Sequence, residues 1–117
     1  MTNNIDKGKK GEVIAKSYLV SKGYNILNVN YRNKIGEIDI IAMYKDILVF
    51  VEVKTRTNIN YGYAYEAVNR KKQEKIIYCS YIYLQQNQLD NYQTRYDIIE
   101  VYMTGNTKIN HIDNAFC

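Results

Sequence analysis

An α/β domain, with a mixed sheet and a helix on each face, is the fold class this sequence predicts. Two segments repeat their apolar residues at helical spacing, and five others are extended, apolar or alternating. The second helical segment is also long enough to carry the chain across the sheet and bring a later strand into parallel pairing.

In residues 7–22, Gly11, Ile14, Ala15, Tyr18 and Leu19 recur at helical spacing, and Gly23 supplies the stop. Residues 24–32 turn extended, with Ile26 and Val29 among polar neighbours. Residues 37–44 and 47–54 are rich β segments separated only by Lys45 and Asp46. A polar loop over 55–62 leads into a long helix over 64–84, in which Ala64, Ala67, Val68, Ile77, Tyr81 and Leu84 keep the helical period. Residues 96–103 form a further strand and 109–112 a short last one. The order is α-β-β-β-α-β-β. The first three strands are close enough to form an antiparallel meander, and the long helix is the crossover to the 96–103 strand.

The 117 residues suit one domain over 1–117, large enough to fold without disulfides or a structural metal. Hydrophobic residues at 46% and charged residues at 24% are those of a globular chain and exclude a disordered one. No apolar run approaches the ~20 residues of a membrane span. The polar first ten residues lack the apolar region of a secretory signal, so the expected location is cytoplasmic. Cys79 and Cys117 make neither a disulfide framework nor a zinc cluster. The single His111 excludes a His-rich metal site and argues against a His-based triad. A net charge of +4 favours a polyanionic partner. Ile, Asn, Tyr and Lys, all with AT-rich codons, make up nearly half of the chain. The thirteen tyrosines therefore read as compositional bias rather than as a base-stacking surface.

The chemistry lies between Gly36 and Lys54. In a symmetric closure around Lys45 and Asp46, Tyr44 faces Ile47, Asp39 faces Glu52, and Glu37 faces Lys54. Those last four then share one sheet face, while Ile38, Ile40, Val49, Val51 and Val53 line the other. Two opposed carboxylates with Cβ atoms ~5 Å apart repel each other. Either one is protonated, or a divalent cation lies between them. Oxygen donors without His or Cys point to Mg²⁺ or Mn²⁺. Lys54 projects to the same place, where it can hold a phosphate oxygen or polarise a water. Together these are the parts needed to hydrolyse a phosphodiester. The alternative is a plain surface hairpin in which Glu37 pairs with Lys54 and Glu52 is solvated. The meeting of Asp39 with Glu52 favours catalysis, and a bulge would undo it.

Asp39, a gap of twelve residues, then Glu52-Val53-Lys54 resembles the PD-(D/E)XK motif of restriction-endonuclease-like nucleases, and the element order is similar to their αβββαβ core. More closely, nearly the whole chain resembles the YraN family of predicted endonucleases. The matching segments are Gly11-Glu12, Asn30-Tyr31-Arg32, residues 36–41, residues 50–56, Ala67-Val68 with Lys71-Lys72, Arg95-Tyr96-Asp97 and Asn114-Ala115-Phe116. The chain is also similar to archaeal Holliday-junction resolvases, which carry an acidic residue on the first helix, a position that Glu12 matches. Ile38 stands where the motif has proline. The resemblance implies a metal-dependent endonuclease acting on DNA, at branched or structured sites. It places Asp39, Glu52, the Val53 carbonyl and Glu12 around Mg²⁺ or Mn²⁺, with Asp39, Glu52, Lys54 and Glu12 as the catalytic set. Resolvases that cut two strands act as dimers, so a homodimer is compatible with it, and no membrane partner is implied. The competing expectation is a nucleic-acid-binding or scaffold module that does not cut.

Apart from the resemblance, Glu12 is an ordinary first-turn glutamate suited to the helix dipole. Arg70, Lys71, Lys72 and Lys75 form a basic cluster early in the second helix, diluted by Glu66 and Glu74. Alone it is a solvated face; beside a phosphodiester site it reads as phosphate-contacting. Arg32 and Arg56 flank the acidic hairpin as phosphate-binding candidates. Lys7, Lys9 and Lys10 either extend that basic rim or fray. Gln73 is a candidate orienting residue. Tyr61, Tyr63 and Tyr65 could stack on bases, packing being the plainer role. His111 and Cys79 read as structural.

Overall fold

Two helices and five strands make up the computed structural model, which describes residues 4–56 and 68–117. They are α1 (Asn4–Ser21), β1 (Asn25–Arg32), β2 (Glu37–Tyr44), β3 (Ile47–Arg56), α2 (Arg70–Gln86), β4 (Gln93–Tyr102) and β5 (Lys108–Phe116), in the expected order. The strands lie side by side in sequence order, antiparallel throughout except for the parallel pair β3–β4 that the α2 crossover permits.

Local chemistry sets the ends. Lys45 and Asp46 both have positive φ (47° and 66°), as type I′ hairpin turns require, and this fixes the register of β2 on β3 from Tyr44↔Ile47 to Ile40↔Val51. Gly23, at φ 93°, turns the chain out of α1 while the Tyr24 N–H returns to the Leu19 carbonyl at 3.0 Å. Asn69 caps α2, its side chain accepting the Lys72 N–H at 2.9 Å.

Several expectations change. The second helix begins at Arg70 because Asn69 caps it; Val68 is buried ahead of it, and Ala64 and Ala67 lie outside the described residues. Tyr81 is exposed, and α2 turns Ile76, Cys79, Tyr83 and Leu84 inward instead. Thr55 and Arg56 belong to β3 rather than to a loop, paired with Val101 and Tyr102 of β4. The last strand runs to Phe116 around an irregularity at Asp97.

Each sheet face carries its own core. On one, Ala15 and Leu19 of α1 pack with Ile40, Ala42, Val49, Val51, Ile99 and Val101. On the other, the inward residues of α2 pack with Ile38, Ile41, Leu48, Phe50, Tyr96 and Ile98. Ile38 therefore leaves the face expected for it. Residues two apart in a regular strand share a face, yet Ile38 and Ile40 join different cores, at the point where β2 parts from β3 while staying paired with β1. At Gly11 a Cβ would run into the Thr55 hydroxyl, and glycine there lets α1 lie close to β3. Among the described residues no helix is long and apolar enough to cross a membrane.

Candidate active site

The β2–β3 ladder stops at Ile40↔Val51, and a side chain takes over where it ends. Asp39, the next residue, accepts the Val53 N–H on Oδ2 at 2.8 Å. The expected direct opposition of Asp39 and Glu52 is thus replaced by a bond from Asp39 to the backbone of the strand that carries Glu52. Nor does Glu37 face Lys54: it pairs with Arg32 of β1, in an exposed ion pair of 2.8 Å.

Glu52 and Lys54 point to the α2 side. Glu52 is only 6% exposed, and its Oε1 lies 2.8 Å from Lys72 Nζ and 3.7 Å from Lys54 Nζ. Burial, and then the Glu52 charge, push the Asp39 carboxyl up to about 7 against the pull of the Val53 N–H. Burial raises the Glu12 carboxyl too, opposed by a hydrogen bond from Asn30 and helped by the charges of Glu37 and Glu52. Burial and neighbouring Lys72 lower the pKa of Lys54. Burial acts the same way on Lys72, but its bonds to Glu52 and Lys54 and the charges of Glu52 and Asp39 together outweigh that and hold its pKa above the ordinary value.

Two clefts open on either side of this centre. On the α1 side, Glu12 and Asp39 line a cleft of about 270 Å³ with Lys9, Lys16 and Asn30. On the α2 side, Glu37, Lys71, Lys72 and Lys75 line a groove of about 450 Å³ beside Gly36 and Asn69.

Among the described residues, no three His, Cys, Asp or Glu side chains are gathered into one metal-binding group. The donor set nevertheless suits a hard cation at Asp39 and Glu52. Both are carboxylates, Glu52 buried and Asp39 half-buried at a cleft, of the kind that Mg²⁺ and Mn²⁺ take. Burial first, and then the charges of Glu52 and Glu12, raise the Asp39 carboxyl, and a cation beside it would relieve that repulsion. Glu12 approaches from α1, and Val53 turns its N–H to Asp39.

The remaining expected residues disperse. Arg56 donates to Glu100 at 3.2 Å, and that buried carboxylate also accepts from Tyr102 and Asn110. Arg70 turns to Glu74 and lines a separate cleft with Tyr78, Tyr81 and Cys117. Gln73 spends its amide on the Val68 carbonyl at 2.8 Å, behind the helix cap, and does not reach the acids. Tyr61, Tyr63, Tyr65 and the Lys7 side chain lie outside the described residues. Sequence reasoning missed Glu100 and the direct grip of Lys72 on Glu52. The one signal for Glu100 was a lone charge inside the apolar run of residues 98–101.

Residues 11–101 match the family described as "Uncharacterised protein family UPF0102". A UPF0102 protein of Clostridioides difficile is 54% identical over 97% of this chain and 99% of its own. One of Caldanaerobacter subterraneus is 51% identical over 97% of each chain, and one of Alkaliphilus oremlandii 50% identical over 93% and 96%. Matched across most of its length and similar to these proteins along nearly the whole of both chains, the chain belongs to UPF0102, the YraN family to which its motifs point.

Proposed function

We propose that this protein is a metal-dependent endonuclease hydrolysing phosphodiester bonds of DNA at branched or otherwise structured sites. The reading is carried by one observation: where β2 and β3 part, Asp39 bonds to the backbone of the strand that carries the neighbouring Glu52 and Lys54, near enough for the Glu52 charge to act on it. Asp39 and Glu52, with the Val53 carbonyl and Glu12, would hold Mg²⁺ or Mn²⁺. Bound there, the ion supplies a Lewis acid that makes water a nucleophile near neutral pH and neutralises charge on the phosphate.

The chain's own residues divide the remaining work. The Val53 N–H fixes Asp39 by its Oδ2. Lys54 stands beside Glu52 with a lowered pKa, placed to orient the attacking water and to contact the phosphate in the transition state. Lys71, Lys72 and Lys75 line the adjoining groove, with Arg32 on its Glu37 rim. Contacts from these residues to backbone phosphates give affinity with little sequence preference.

A second reading, a binding or scaffold module that does not cut, draws on the absence of a gathered three-ligand group among the described residues. Lys54→Ala separates the two. Cleavage is measured with Mn²⁺ on duplex, flap, single-stranded and four-way-junction DNA. The enzyme reading expects turnover to fall by ~10²-fold or more with DNA affinity nearly intact, the scale of losing one charge-stabilising group. Cleavage by Lys54→Ala at the wild-type rate, or none by either protein, rejects it.

A further inference from the structure

Lys72 serves two places. It lines the groove on the α2 side with Lys71 and Lys75, and its Nζ lies 2.8 Å from Glu52 Oε1. A carboxylate as buried as Glu52 needs a partner. Lys54, 3.7 Å from the same oxygen, is beyond hydrogen-bond range, which among the described residues leaves Lys72 as the close counterion. The Lys72 backbone is fixed, since its N–H is held by the Asn69 cap. Its side chain is not enclosed: 43% of it is exposed, toward the groove. The ammonium therefore occupies an oxygen that a divalent cation would need, at the end of a flexible stem with somewhere else to go.

We propose that Lys72 is an exchangeable counterion, neutralising Glu52 while no metal is bound and released into the groove when a divalent cation takes that carboxylate. There, with Lys71 and Lys75, it meets a backbone phosphate. The inference rests on the metal site proposed above and deepens it, because one side chain then couples metal occupancy to phosphate binding, and such coupling is reciprocal. Metal readies the groove for its polyanion, and the polyanion, by drawing Lys72 away, tightens the metal.

The test titrates Mn²⁺ alone, by calorimetry at pH 8, into wild type, Lys71→Met and Lys72→Met. Lys71→Met removes the same charge from the groove without touching Glu52, so it controls for general electrostatics. Lys72→Met should bind Mn²⁺ about tenfold more tightly than Lys71→Met, the scale of one hydrogen bond to a charged group. Equal affinities, or weaker binding by Lys72→Met, would overturn the exchange and leave the metal site standing. If none of the three binds Mn²⁺, the metal site itself fails and the exchange with it.

Discussion

Asp97 is fully buried and Asp39 half-buried, and their surroundings are opposite. Asp97, fully buried in β4, meets donors on every side: Arg95 Nε and Nη2 at 2.9 and 2.8 Å, the Asn114 N–H at 3.0 Å, and His111 Nε2 at 2.7 Å. Burial alone would lift its pKa, but the bonds from His111, Arg95 and Asn114 hold it below the usual carboxylate range. Arg95 goes on to the Tyr24 hydroxyl and His111 Nδ1 to the Tyr18 hydroxyl, so this one carboxylate ties the end of α1 and strand β5 to the sheet. Among the described residues Asp39 receives one N–H, and burial first, then the charges of Glu52 and Glu12, raise it. A buried acid whose acceptor sites are filled from within holds a fold together. One left short of positive charge is poised for a ligand from outside.

The largest effect should come from Asp97→Ala. Removing one partner of a buried ionic group strands the others, here Arg95 and His111, at a cost of about 3–5 kcal/mol. Chemical denaturation at pH 7 measures it. A loss under about 1 kcal/mol, the worth of a surface pair, would deny the network its structural role.

Next in size is Asp39→Asn, which should act in the opposite direction. The folded pKa of Asp39, about 7, lies above its ordinary value. Its favourable contribution is therefore present below about pH 4 and is lost as pH rises through 7. For Asp97, with a depressed pKa, the contribution is present above about pH 4 and lost as pH falls below it. Asparagine keeps the acceptor for the Val53 N–H and removes the charge. Without metal, Asp39→Asn should be more stable than wild type at pH 8 by roughly 1–3 kcal/mol, and its stability should decline less between pH 4 and 7. Superimposable pH profiles for the two proteins would erase the contrast between the aspartates.

The two sites were not equally legible in the sequence. The hairpin register was, since a two-residue turn at Lys45 and Asp46 leaves one pairing and the apolar runs on either side agree with it. Alternation then failed at Ile38, where β2 parts from β3 and the Asp39 side chain accepts the Val53 N–H, an event with no periodic signature. The start of α2 was partly legible: Asn69 is a good cap residue, but the apolar spacing upstream drew the prediction to earlier residues. Gln73 was misread because its amide is used locally, one turn from the cap. Lys72 was recognised as basic but not as the counterion of Glu52, because only the packing of α2 on the sheet brings the two together. The Asp97 network was least visible. Tyr18, Asp97 and His111 are scattered along the chain, and the family motif Arg95-Tyr96-Asp97 names its members without saying what they touch.

The smallest effect, and the one that tests whether the two aspartates are independent, belongs to Gly11→Ala. Gly11 precedes Glu12 in α1, and an added Cβ would run into the Thr55 hydroxyl of β3. Turning the Thr55 hydroxyl away relieves part of the clash, and a shift of α1 takes up the rest. Alanine also gains about 1 kcal/mol of helix propensity over glycine, while overpacking costs about 1–3 kcal/mol, so the net loss should be on the order of 1 kcal/mol. The part of α1 that must shift carries Glu12, whose charge helps raise Asp39. Tyr18, two turns further on, stays anchored to His111. The decline in stability above pH 4, set by the raised carboxyls of Asp39 and Glu12, should therefore become shallower, while the loss below pH 4, set by Asp97, keeps its midpoint. Both are read from denaturation profiles across pH. If the acid limb moves and the neutral limb does not, the strain at Gly11 travels along α1 to the Asp97 network. The two aspartates would then be coupled through the helix that both regions share.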